Sequence, residues 1–448
     1  MAGELGRRLA HEILEQAPPA AAIPALKLCL LDFLGNAFEA HSLSWSRLAA
    51  AMAVAQGGSE ASIVGAGRSG MQMAAFANAV AGHGLVREDM HAGAVSHLGV
   101  VVLPALLALS QRRKTSGAAF ITAGIIGYEL GARLGRALVN PDFSRRWRPT
   151  GFTGPLAAAA AAARLLHLSH HATASALSLA ANTVSGLNEW PRDGGEEMFF
   201  HPGFAARNAL TATELAAHGA YGSAGALDGP AGLFAAAGTA VPADLALFAD
   251  GRAEILSVFH KALPLCNFAQ TPTQAALWLA PVPIEAIDHV TVFASEAAVR
   301  YPGCDHQGPF ERVLQAKMSI QFCVAAALLD GTVTEGSFAI LDRPALLQLA
   351  AVTSLSARAD FTGAFPARQG AEIVVALRDG SERRAAMADL EAATPAAVRA
   401  RFAAGAAATV GAPRAEAIAK AIDALEAAED VGALMRLTEA RTDEEGNA

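Results

Sequence analysis

Residues 83–97 pack His83, Arg87, Glu88, Asp89, His91 and His97 between two strongly apolar stretches. Histidine is the side chain whose ordinary pKa suits proton transfer near neutrality, and loops carried by rigid elements are where catalytic groups collect. The segment therefore reads as an acid–base site, with a solvated polar loop as the alternative. Its histidine intervals of 8 and 6 residues (91 − 83, 97 − 91) match no helical metal-ligand spacing, so no metal is assigned.

Two further segments carry charge in places that invite chemistry. Arg145-Arg146-Trp147-Arg148-Pro149-Thr150-Gly151 sets three guanidiniums before a helix start. Arginine offers a planar fork for carboxylates and helix N-termini attract anions, so this is a candidate carboxylate grip; an exposed basic loop is the alternative. Lysine occurs only at 27, 114, 261, 317 and 420, and Lys261 lies in the apolar loop Lys261-Ala262-Leu263-Pro264-Leu265-Cys266. Burial would lower its pKa and suit it to proton donation or charge stabilisation, unless its stem merely covers apolar surface. Gly65-Ala66-Gly67-Arg68-Ser69-Gly70 matches a dinucleotide fingerprint, but only Ser62-Ile63-Val64 precedes it as β-pattern and the acid at Glu88 lies beyond a helix, so it reads as a turn.

The elements that must position these residues are helical up to about residue 265. Ile23–Phe38, Met71–Gly84, Gly99–Ser110, Ala118–Val139, Leu156–Leu168, Ala172–Asn188 and Gly203–His218 repeat apolar residues at helical spacing, with alanine on several faces. Strand patterns are confined to a later stretch, at 287–293 and 372–378, around helical runs at Leu314–Leu329 and Pro344–Ala351. The tail is helical again, with Pro413 opening a run to Ala428. The expected fold class is mainly α: an all-helical domain (1–268 and 397–448) with a smaller inserted α+β lid domain (269–396).

Composition removes several function classes. Of 448 residues 53% are hydrophobic and 17% charged, which excludes a disordered chain. The net charge of −8 offers no basic stripe for a nucleic acid, and no apolar run is long enough to span a bilayer, Leu98–Leu109 being a buried core helix. The four cysteines (29, 266, 304, 323) show neither CxxC nor zinc spacing and read as buried free thiols. Residues 1–8 do not resemble a secretory leader, so a cytoplasmic protein is expected.

Taken in order, several segments resemble the 2-methylcitrate dehydratase (MmgE/PrpD) family, which also includes cis-aconitate decarboxylase and iminodisuccinate epimerase. They are Leu31-Asp32-Phe33-Leu34-Gly35, 74–83, the His91–His97 loop with Pro104-Ala105-Leu106, Gly127-Tyr128-Glu129, Pro149-Thr150-Gly151, 200–208, 228–232, 261–266 and 315–322. The resemblance implies a homodimer, cofactor-free chemistry and a small di- or tricarboxylate as the partner molecule. It matches His97 to the family's catalytic loop histidine and Lys261 to its lysine. It also marks departures: Val86 stands for an aspartate, Arg148 for a histidine, Met198 for a lysine and Phe322 for a tyrosine.

The chemistry so implied is removal of a proton α to a carboxylate, which needs a close base and fixed cations. His97, Lys261, Asp89 and His91 are the expected acid–base and charge-stabilising groups. Arg87, Glu88, Arg148, Thr150 and His201 are the expected substrate-binding groups. A dehydratase is the first reading; an epimerase, or a family member that has lost activity, is the alternative.

Overall fold

The computed structural model describes residues 3–440; the outermost ends of the expected helical domain, residues 1–2 and 441–448, lie outside them. The chain is mainly helical. The helices that matter for the site are α1 (Ala22–Ala40), α2 (Met71–His83), α3 (Gly99–Arg113), α4 (Gly117–Leu138), α5 (Pro149–Leu165), α6 (Glu197–Ala217) and α7 (Pro395–Val410). Small residues set their spacing. A Cβ on Gly131 of α4 would lie 2.8 Å from the Ala157 Cβ of α5, and one on Gly35 of α1 would lie 3.0 Å from the Phe402 Cα of α7. Helices that approach this closely interlock backbone to backbone, and Ala157–Ala163 is buried on every side.

Several boundaries differ from the periodicity reading, among them the end of 172–188, which stops at Ala181, and the start of 203–218, which begins at Glu197; two others have an identifiable local cause. Helix α5 begins at Pro149 and not at Leu156, because proline at the first helical position needs no N–H partner. The run 314–329 divides into Val313–Met318 and Ile320–Asp330 at Ser319, whose hydroxyl accepts the Phe322 N–H at 2.9 Å and starts a second helix.

Strands also occur where only helices were expected. β1 (Ala61–Ser62) and β2 (Arg68–Ser69) form a small hairpin, and β3 (Asp89–His91) pairs antiparallel with β4 (Val258–His260). Both ladders are too short to show an alternation in sequence. The glycine-rich 65–70 segment supplies part of the turn and the second strand of that first hairpin, and the N–H of Met71 that opens α2 donates to Glu60 Oε2 at 2.9 Å, so a carboxylate of the chain itself caps the end a pyrophosphate would need. A four-stranded sheet follows, with β5 (Ile287–Ala294), β6 (Thr353–Ala357), β7 (Ala371–Leu377) and β8 (Glu382–Met387) in the order β6-β5-β7-β8. Only the β5–β6 pair is parallel, and Val290, Val292, Ile373 and Val375 fill its buried face.

After the sheet the chain returns through α7 to pack on α1. A buried ionic cluster marks the contact. Asp32 accepts from Arg401, from His260 Nδ1 at 3.0 Å and from Asn36 Nδ2 at 3.0 Å, and Arg401 Nη1 also donates to the carbonyl of Lys261 at 2.8 Å. Burial alone would raise the Asp32 carboxyl, but His260 and Arg401 hold it below its ordinary value. Removing one partner of a buried pair strands the other charge. Arg401→Met is therefore expected to cost about 3 kcal/mol in urea unfolding, whereas Arg399→Met, in a half-exposed pair with Asp423, should cost less than about 1 kcal/mol.

Candidate active site

The segment between α2 and α3 is a taut connector. His83 ends α2, β3 follows, and Gly99 opens α3 against it; a Cβ there would collide with the Asp89 carboxylate and the Tyr128 hydroxyl. Val86 and Val95 sit at φ 58° and 50°, a left-handed conformation that branched side chains resist at a cost on the order of 1–3 kcal/mol each. Such strain persists only where surrounding contacts fix it, and at the Val86 end two buried lysines do so. Lys261 donates to the Val86 carbonyl and to that of Leu265 at 3.3 Å; Lys317 donates to Leu85 O and Pro264 O, both at 3.1 Å, and pairs with Glu335 at 2.5 Å. Together they pin the start of the loop to the 264–265 segment.

Glu88, fully buried, is the hub. Its Oε1 lies 2.5 Å from His83 Nδ1 and 2.8 Å from His97 Nδ1. Arg148 Nη2, which can only donate, lies 2.6 Å from His83 Nε2, so that nitrogen accepts and the His83 proton is on Nδ1, toward Glu88. His97 Nδ1 faces two acceptors, Glu88 and the Asp89 carbonyl at 3.2 Å, so it too carries its proton there. The consequence is a free lone pair on His97 Nε2, which has no partner among the described residues and opens on a cavity lined by His97. Thr150 Oγ1 fixes the same residue by accepting its backbone N–H at 3.0 Å.

Electrostatics keep that lone pair available. Burial lowers the His97 pKa below the ordinary imidazole value, with Lys261 and Arg148 adding to the effect against the opposing Glu88. His83 is pushed to about 3, chiefly by burial. Burial would raise Glu88, but His83, His97 and Lys261 hold it well below its usual range, so it stays ionised. Lys261 falls to about 8, again through burial.

The cavity itself holds about 40 Å³. Besides His97 and Thr150 it is faced by Arg148, whose guanidinium stands 5.4 Å over the Trp190 ring, and by Tyr301. Arg148 Nε is buried without a hydrogen-bond partner among the described residues. A buried guanidinium with an unused N–H is suited to a carboxylate that arrives from outside. Burial raises the Tyr301 phenol to about 12, so it remains a donor at neutral pH.

The structure brings His97, Glu88, Arg148 and Thr150 together and sends the other expected site residues elsewhere. Arg87 turns back to α1, pairing with Glu39 at 2.5 Å and Asn36 at 3.1 Å, so it is no part of the carboxylate grip. Asp89 lies behind the site, its Oδ2 accepting from Tyr128 at 2.7 Å, and His91 bonds Glu254 at 2.9 Å. Asp89 and His91 share one face of β3, and Glu88, which precedes the strand, turns instead toward His83 and His97. His201 is buried beside Arg148, its Nδ1 unpartnered among the described residues. Lys261 acts on the loop carbonyls from outside the cavity lining.

Arg145 and Arg146 stay at the surface on Asp142. All four cysteines are buried and free. In the sequence His83 reads only as part of the polar 83–97 segment, with no role of its own, and Tyr301 is not anticipated as a site residue. With only three tyrosines in the chain, scarcity was the one signal for Tyr301, as it was for the lysines. The ligand-capable atoms of His83, Glu88 and His97 lie within 4.8 Å of one another, but the neighbouring Arg148 and Lys261 charges oppose a cation there.

Comparison with known proteins is consistent along the chain. The MmgE/PrpD N-terminal domain matches residues 8–245 and the MmgE/PrpD C-terminal domain residues 263–427. The cis-aconitate decarboxylase-like protein oryM of Aspergillus oryzae is 33% identical over 233 residues, covering 49% of this chain and 48% of that protein. Cis-aconitate decarboxylase of Aspergillus terreus is 31% identical over 212 residues (45% and 43%), and that of Mus musculus 29% identical over 331 (69% and 65%). The chain thus spans about half the length of the fungal relatives it matches. No helix among the described residues is long and apolar enough to cross a membrane.

The charge arrangement predicts how stability depends on pH. His83 and His201, both near 3 when folded, bind fewer protons than in the unfolded chain, where the ordinary value of about 6.5 applies, so they cost stability as pH falls below that value. Asp89, raised to about 7 mainly by burial, works in the opposite sense over the same range. His97, also held below its ordinary value, acts in the same sense as His83 and His201, so the histidines outweigh Asp89 and leave a net loss of at least about 1.4 kcal/mol per pH unit between pH 6 and 5. Urea unfolding should show stability falling over that range, and Asp89→Asn should steepen the fall by about 1.4 kcal/mol per pH unit.

Proposed function

The chain belongs to the MmgE/PrpD family, and from that premise we propose that it is a cofactor-independent lyase that removes a proton α to a carboxylate of a small di- or tricarboxylate. The observation that carries the reading is the His97 imidazole, its proton held on Nδ1 by Glu88 and its bare Nε2 facing the cavity that also holds Arg148. A weakly acidic Cα–H needs a neutral base at contact distance and a fixed cation for the charge that develops on the carboxylate. His97 supplies the first and Arg148 the second.

In the dehydratase form, Nε2 takes the Cα proton, the C–H electrons form the alkene and the Cβ–O bond breaks. The proton on Nε2 then leaves with the hydroxyl as water. Decarboxylation, the activity named for the relatives, ends instead with a proton delivered to carbon, and a histidine held neutral is better suited to removal. Tyr301 supports a second reading, an epimerase, because it lines the same cavity and a phenol can return a proton to the other side of the carbon. Lys261 is a positioning residue on this account: it holds Val86 and adds positive potential beside Glu88. The 269–396 segment acts as a lid over the site, and we expect a cytoplasmic homodimer.

Proton NMR in D2O with a panel of hydroxy- and amino-polycarboxylates should show deuterium uptake at the α-carbon with alkene signals, and inverted substrate instead would favour the epimerase. His97→Ala should lower the exchange rate about 10²- to 10⁴-fold. The profile of kcat/KM should fall on the acid side below pH 6.5, where His97 finally protonates, and on the alkaline side near pH 8, where Lys261 loses its proton. Lys261→Met should lower the rate and remove the alkaline limb.

A further inference from the structure

The cavity around His97 is small for the substrate of such a reaction. At about 40 Å³ it accommodates two or three water-sized groups, which is the size of one carboxylate. The rest of any ligand must lie outside it, and a second chamber of about 440 Å³ adjoins it. Val95, Phe268 and Tyr301 line both spaces and form the neck between them. The chamber lies between the helical part, at residues 92–95 and 139–145, and the α+β segment, at 295–301 and 362–366. A volume of this size falls within the range typical of small-molecule sites.

Its chemistry differs from that of the inner cavity. Phe268, Phe365, Pro366, Val139 and Ala297 supply its walls. Two cations line it, and each is already neutralised by an acid from its own helix: Arg145 by Asp142, and Arg300 by Glu296 at 2.5 Å, both arginines about half or more exposed. A second or third carboxylate placed here would be taken out of water without a free cation to meet it, which is costly. An alkyl group would lose nothing and would gain the burial.

We infer that the outer chamber is a subsite for an apolar substituent, so that the substrate is a carboxylate carrying an alkyl or similar hydrophobic arm, not a compact tricarboxylate. The inference rests on the proposed function in one respect, that a carboxylate binds at Arg148. The carboxylate enters through the neck and the arm stays among Phe268, Phe365 and Ala297. Val95 narrows this passage and is held there by its left-handed backbone.

Calorimetric titration of the full chain with succinate and with 2-alkylsuccinates from methyl to hexyl tests this. Affinity should rise about three- to fourfold per methylene over the first several carbons, the gain expected for moving each into an apolar space. Ala297→Trp, which fills the chamber at a partly exposed position, should flatten the series and leave succinate binding unchanged. Succinate binding with a flat or falling series in the unaltered protein overturns the inference and leaves the carboxylate site standing. No binding by any member, or binding untouched by Arg148→Gln, overturns the carboxylate site and the inference with it.

Discussion

A single buried carboxylate, Glu88, joined to two imidazoles, is the interaction on which the rest of the site depends. An ionised group with no exposure to water must be compensated on the spot. His83 gives its Nδ1 proton to Oε1, His97 turns its Nδ1 toward the same oxygen and the Asp89 carbonyl, and the Lys261 ammonium stands near. That arrangement settles the protonation of each ring. It commits His97 to presenting Nε2, it requires Arg148 to close the chain on the far side of His83, and it requires a lysine that reaches the loop from a segment nearly two hundred residues away in sequence.

The β3–β4 ladder makes this possible with few residues. Asp89 faces His260 across it. Glu88 and Lys261 flank the two strands on the side of the candidate site, while Asp89 and His260, within the ladder, join Asp32, Tyr128 and Arg401 behind it. The front carries the polar groups of the candidate site and the back holds the ladder. Because Arg401 also bonds the Lys261 carbonyl, helix α7, which returns from the sheet, helps to place the lysine.

What the sequence made legible follows the same division. Long apolar periodicities located α1 to α4 to within a few residues, because a 3.6-residue repeat over several turns has few competing readings. The cluster at residues 83–97, Arg148 and Lys261 was visible as polar or cationic residues in apolar surroundings. The direction each side chain takes was not: Arg87 and Glu88 are neighbours, yet one returns to Glu39 on α1 and the other enters the core. Strands of two or three residues carry too little alternation to reveal a face, and β3 and β4 are 258 − 89 = 169 residues apart at their first members. Tyr301 joins the site only because the chain after β5 folds back over the helical part, a tertiary event without a local signal.

The account stands on the tautomer of one ring. Nitrogen NMR of the protein labelled at histidine, with His97 assigned through His97→Gln, reads the state of both ring nitrogens. The account predicts a neutral ring at pH 7 with the proton on Nδ1 and a bare Nε2, a state that persists to lower pH than in a free imidazole. A His97 protonated on Nε2, or an imidazolium at pH 7, would contradict it, since no lone pair would then face the cavity.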